Sequence, residues 1–229
     1  MNSLLNSDFE KACLLFENET NRNELYELLK NGTVVEKQVA ALKLDKIECE
    51  EEAEIFISNL TGCDGKIREV IASRLSEFSE DTSVQKWFSK YPDIFANATI
   101  DIDSNVCRNV IDVLPFLKND KNFAKKYSEI LVQFIKTAVN EIQNFSFRDK
   151  KYRYNKQYFK LYWSLEGLCS FADIISEPDT EFIIKNTADC PEYTVREKLA
   201  KFITFLPDKY GNVADTLKND ENYYVKNIG

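Results

Sequence analysis

Four segments of this chain repeat one template, and that recurrence constrains the fold more than any other feature. Each has an apolar start, a basic neighbour, and further apolar residues four, eight and eleven places on. The clearest copy is Ile67, Arg68, Ile71, Leu75 and Phe78, and a second is Val195, Arg196, Leu199, Ile203 and Leu206. Val106, Val110, Leu114 and Leu117 form a third, with Arg108 as the basic residue one place late; a degenerate fourth runs Glu36, Lys37, Ala40, Leu44, Ile47. Offsets of four, eight and eleven fall on one stripe of an α-helix, so each copy predicts an amphipathic helix with a core face. Start signals agree. Thr33 and Glu36 make a capping-box pattern, Asp64 and Asp103 precede their helices, and Pro191 and Pro207 bracket the second copy.

The copies start 31, 39 and 89 residues apart, and the longest gap leaves room for one more unit, helices 121–143 and 154–175, with a stripe at Leu161, Leu165, Leu168 and Ala172. Each template helix follows another helical segment, so the reading is all-α. It is a single helical-repeat domain over 1–229: a leading helix at 8–18, then pairs at about 23–48, 50–78, 82–118, 121–175, 178–206 and 209–229. Only six Gly and five Pro stand in 229 residues, too few for the repeated turns of a β-sandwich.

A helix pair of this length, opened in its second helix by Asp and then apolar-Arg, resembles the HEAT (armadillo-like) repeat family. The matching residues are Asp64/Ile67/Arg68, Asp103/Val106/Arg108, Val195/Arg196 and Asp220/Val225/Lys226, and the likeness covers residues 20–229. The resemblance implies an α-solenoid of about six antiparallel pairs wound into a right-handed superhelix, whose second helices line a concave binding surface. The irregular spacings and the weak 121–175 unit depart from the family pattern.

Composition narrows the chemistry. The chain has no histidine, which removes Ser-His and Cys-His nucleophile pairs and imidazole zinc sites. No Gly-rich phosphate loop is present. Asp101, Asp103 and Asp112 lack the Gly turn and closing Glu of a calcium loop and read as helix caps. No catalytic residue, metal ligand or cofactor is assigned; the expectation is a non-catalytic protein. The six cysteines are scattered without a C-x-x-C pair and read as reduced thiols. With no secretory signal at the start and no long apolar run, the expected setting is cytoplasmic, without a membrane.

The net charge of −8 is uneven: residues 1–100 carry 19 acidic against 11 basic side chains, whereas 101–229 carry 19 of each. The acidic run Glu48, Glu50, Glu51, Glu52 and Glu54 reads as a solvated helix start. Residues 118–160 hold 11 Lys/Arg against four carboxylates, a local +7. Within it, Arg148 to Trp163 interleaves basic and aromatic side chains, a pattern that also suits a helix whose aromatics fill the core. Arg153, Tyr154, Lys156, Tyr158, Lys160 and Trp163 are the candidate partner-binding residues, and the expected partner is another protein with an acidic surface.

The function expected is a protein-interaction scaffold. The alternative is a nucleic-acid-binding HEAT-like protein related to the alkylpurine DNA glycosylases, which Glu221-Asn222-Tyr223-Tyr224-Val225-Lys226 resembles. That family needs tryptophans beside a catalytic aspartate, and neither Trp87 nor Trp163 has a matching context; the overall acidity also argues against nucleic acid. Val225-Lys226 opens a further template helix that the sequence does not continue. Ile203 and Leu206 are therefore expected to be only partly covered by Val213 and Leu217, which favours a fragment of a longer array, or a contact or self-association at the C-terminal end.

Overall fold

The computed structural model describes residues 2–145 and 151–228, with the backbone alone at 2–6 and 152. Helix accounts for 78% of the chain and the described residues contain no strand, so the fold is all-α. The chain divides into two compact units, Met1–Asp120 and Lys121–Gly229.

The first unit holds α1 (Asn2–Glu17), α2 (Arg22–Asn31), α3 (Val34–Lys43), α4 (Glu50–Ser58), α5 (Gly65–Phe78), α6 (Thr82–Phe88), α7 (Pro92–Thr99) and α8 (Ser104–Leu117). The template helices α3, α5 and α8 pack side by side, with α2, α4 and α6 forming a second layer and α1 lying against α3. The leading segment of the expected 82–118 pair is two helices and not one, because Pro92 lacks the amide to continue α6 and instead opens α7. The template stripe is the core: Ile71, Leu75, Val106, Val110 and Leu114 are fully buried, beside Phe56 and Phe88 from the other layer.

The turn between α2 and α3 depends on Gly32, where a Cβ would stand 2.5 Å from the Leu28 carbonyl oxygen. The next residue, Thr33, caps α3 in the predicted box: its hydroxyl accepts the Glu36 amide while Glu36 Oε2 accepts the Thr33 amide at 2.7 Å.

The second unit holds α9 (Lys121–Gln143), α10 (Lys151–Leu168), α11 (Glu177–Thr187), α12 (Tyr193–Ile203), α13 (Gly211–Lys218) and α14 (Tyr223–Lys226). Here α10, α12 and α14 lie side by side, and α9 packs on both α10 and α11. The core combines Phe123, Tyr127 and Phe171 with Leu165, Val195, Leu199 and Phe202. Leu217 and Val225 are buried, while Leu206 is half-buried and Phe205 is 52% exposed.

The basic template residue ties successive helices together, and it does so identically in both units. Arg68 donates from Nε to Asp101 Oδ2 (2.6 Å), from Nη2 to Asp101 Oδ1 (3.2 Å), and from Nη1 to the Gly62 carbonyl (2.8 Å). Arg196 donates to Asp220 Oδ2 (2.7 Å) and Oδ1 (3.0 Å), and to the Cys190 carbonyl (2.6 Å). In both rungs the Arg lies four residues past its helix cap, and the Asp lies two before the cap of the next template helix.

The third copy corrects the sequence reading. Arg108, expected as its basic residue, is exposed, and the rung position holds Cys107, whose thiol donates to the Asp101 carbonyl six residues back, as each Arg does. A second basic position, ten residues past the cap, covers orphan carbonyls at a neighbouring helix end. Arg74 donates to the carbonyls of Ala41, Leu42 and Leu44 at 2.6 to 2.8 Å, and Lys43 donates to those of Leu15 and Phe16.

All six cysteines are free. Burial pushes the thiols of Cys107 and Cys169 up to about 12 and raises that of Cys190. An aromatic-disulfide reagent at neutral pH is therefore expected to modify Cys13, Cys49 and Cys63 quickly and the buried three only on unfolding. A native protein that titrates all six at one rate would contradict this burial.

Candidate functional site

Helix α10 carries the six candidate residues, and its winding sorts them onto different faces. Leu161, Leu165 and Leu168 are buried against the rest of the unit. Lys151, Asn155, Tyr158, Phe159 and Tyr162 recur at helical spacing on a face toward α12, where with Glu192 and Thr194 they line a cleft of about 490 Å³. Lys156, Lys160 and Trp163 follow another stripe, spaced by four and three residues. Arg148 and Lys150 lie outside the described residues.

Each candidate has a definite place. Arg153 is exposed, its guanidinium 5.2 Å from the centre of the Phe145 ring. Tyr154 meets the same ring edge-on at 4.5 Å and stands 6.4 Å from Tyr158. Trp163 is buried, in edge contact with Tyr162 at 4.9 Å and Phe159 at 6.1 Å. Its indole N–H has no acceptor among the described residues. Lys156 is exposed. Lys160 is half-buried and has no carboxylate partner among the described residues; burial and then the neighbouring Lys156 push its ammonium below the ordinary lysine range, against a smaller opposing effect of Glu141. Burial likewise raises the Tyr158 hydroxyl.

One wall of the cleft is held by an ionic cluster that the sequence reading did not pick out. Lys198 of α12 places Nζ 4.8 Å over the Tyr162 ring and 3.1 Å from Glu166 Oε2, and Lys201 donates to Glu166 Oε1. Burial alone would raise the Glu166 carboxyl, yet Lys201 and Lys198 together hold it below the usual carboxylate range. Burial works to lower Lys198, and Glu166 outweighs it, so that ammonium is raised. The signal for this cluster was the spacing Thr194, Lys198, Lys201, which lies on one helix face beside Tyr162 and Glu166 of α10.

Asp101 and Asp103, first weighed as ion sites, have structural partners, whereas Asp112 caps nothing and lies exposed in the middle of α8. Asp101 receives Arg68, and Asp103 caps α8 by accepting the Asn105 amide. Arg22 bridges Glu48 and Glu52, and Lys90 pairs with Glu50, so the acidic run at the start of α4 is partly neutralised by α2 and by the α6–α7 turn. Among the described residues, no three His, Cys, Asp or Glu side chains gather to hold a metal ion, and no helix is long and apolar enough to cross a membrane.

No protein-family model matches the chain, and no curated protein matches it. Among solved structures, it is similar to an engineered protein from the Northeast Structural Genomics Consortium, with a TM-score of 0.46 and 14% identity over 91% of this chain and 93% of that one.

Proposed function

We propose that this chain is a non-catalytic scaffold, a HEAT-like solenoid of about six helix pairs that works in the cytoplasm by holding an acidic segment of another protein against α10. One observation carries the reading: Lys160 is a half-buried ammonium with no ion-pair partner among the described residues, where Glu141 offsets its burial and Lys156 only in part, and it lies on the same stripe as Lys156. A partly desolvated cation whose charge is compensated only in part is unfavourable in the free protein and gains most when an anion arrives. Arg153 adds a third cation one turn away, and the cleft beside Tyr158 and Tyr162 has the aromatic lining that anchors peptide side chains. An arrangement of this kind recognises carboxylates and performs no covalent step.

The test is binding of a glutamate-rich peptide, read by Trp163 fluorescence and by anisotropy of the labelled peptide. Reversing Arg153, Lys156 and Lys160 to Glu should weaken affinity by roughly tenfold or more and flatten its salt dependence, with an unchanged thermal midpoint. Equal binding by the triple variant would remove the site. Tight binding of duplex DNA, lost in the same variant, would favour the glycosylase-like alternative instead.

A further inference from the structure

The two Arg–Asp rungs are alike, so the residues around them can be compared position by position. In the second unit Asp220 accepts both Arg196 and, through Oδ1, the Asn222 amide at 2.7 Å. Asn222 in turn caps α14 by accepting the Tyr224 amide. The rung thereby sets the first turn of α14 beside the first turn of α12, and three tyrosines meet there. Tyr193 and Tyr224 stack at 6.2 Å with 26° between their planes, and Tyr223 stands edge-on to Tyr224 at 5.6 Å. Their exposures are 37%, 62% and 67% for Tyr193, Tyr224 and Tyr223.

The first unit builds the same rung without any of these rings. The positions corresponding to Tyr193, Tyr223 and Tyr224 are Gly65, Ser104 and Asn105, and the helices are bridged there by a hydrogen bond from Asn105 Nδ2 to Glu69 Oε1. The scaffold therefore does not require aromatic side chains at these places. Exposed rings gathered in contact, where small polar residues suffice for the fold, mark a surface suited to a ligand.

We propose that Tyr193, Tyr223 and Tyr224, flanked by Glu192 and Glu221, form a docking surface for a cationic side chain, an arginine or lysine carried on a basic peptide segment. Ring faces attract a guanidinium or ammonium through their quadrupoles, and an aromatic pair held in place loses little freedom on binding. The charge is complementary: Glu221 is exposed two residues before Tyr223, Glu192 precedes Tyr193, and Asp220 is engaged by Arg196. Lys226, one turn on, is the single exposed cation of α14. This surface takes the opposite charge from the α10 stripe; it shares only Glu192 with the cleft beside that stripe, and its three rings belong to α12 and α14.

The experiment is calorimetric titration with an oligo-arginine peptide and with the same peptide carrying neutral citrulline. The informative variant is Tyr223→Ser with Tyr224→Asn, which installs the residues the first unit uses and leaves the net charge unchanged. The arginine peptide should bind, the citrulline peptide should not, and the double variant should lose roughly tenfold in affinity, as expected for two cation–π contacts. Glu221→Gln, which lies outside the α10 cleft, gives a second reading that spares the rings and should also weaken binding. Unaltered binding by the tyrosine variant would reduce the attraction to the general acidity of the chain and overturn the proposal. Equal binding of the citrulline peptide, or no binding of the arginine peptide, would overturn it as well.

Discussion

Replacing Arg68 or Arg196 by alanine should lower the unfolding free energy by about 2–4 kcal/mol each, a little under the ~3–5 kcal/mol for stripping one partner from a fully buried pair. Both guanidiniums are nearly covered, at 11% and 12% side-chain exposure, and each faces an aspartate at 10%. The loss strands a carboxylate and a backbone carbonyl together, because each arginine serves both. Lysine in the same place keeps the charge but not the fork, and should recover less than half of the loss. Equilibrium urea unfolding of Arg68→Ala, Asp101→Ala and the double variant measures the coupling, and the double variant should cost clearly less than the sum of the singles. Additive losses would mean that the rung contributes nothing as a pair. Asp220 is held below the usual range chiefly by Arg196. A carboxyl lowered on folding contributes stability above its unfolded value, about 3.9, and loses it as pH falls through the lower folded value. Acid destabilisation should therefore be shallower in Asp220→Asn.

Removing Glu166 should be nearly as severe. Alanine there leaves Lys198, 13% exposed at its side chain, with only the longer contact to Glu197 at 3.6 Å and next to Lys201, and a loss of about 1–3 kcal/mol is expected for a mostly buried cation that keeps its weaker partner. The effect has a pH signature. Because the lysines hold Glu166 low against its burial, its contribution is complete above the unfolded glutamate value near 4.3 and disappears on further acidification. Glu166→Gln should match the wild type more closely at low pH than at neutral pH. A constant difference across the acid range would show that the carboxylate is not paired as drawn. Tyr162 should register the change as well, since Lys198 lies over its ring.

The helices were legible because the template stripe is a direct image of the core: Ile67, Ile71, Leu75 and Phe78 are all buried, as are Val195, Leu199 and Ile203. The caps at Thr33, Asp64 and Asp103 were legible too, being local and carried by short polar side chains. What the basic template residue does was not legible. Its partner lies 33 residues away in one unit and 24 in the other, and spacing alone does not choose among the aspartates. For the same reason spacing points to Arg108 as the basic residue, although Cys107 stands in the rung. On α10, aromatic and basic residues alternate so closely that no single stripe stands out. Assigning Tyr158 to the cleft and Lys160 to the other face requires knowing which sides α9 and α12 occupy.

The rungs have a direction. Each arginine is synthesised before the aspartate that completes it, so in a chain emerging from the ribosome a helix pair waits, its guanidinium satisfied only by the carbonyl six residues back, until the next loop arrives. Shortening from the two sides of a rung is then unequal. A cut just before Asp101 orphans Arg68, whereas a cut just before Gly62 removes a neighbour and leaves the Arg68–Asp101 bonds intact. Nested deletions should accordingly lose solubility in steps as successive aspartates are removed from the C-terminal side, and more gradually from the other.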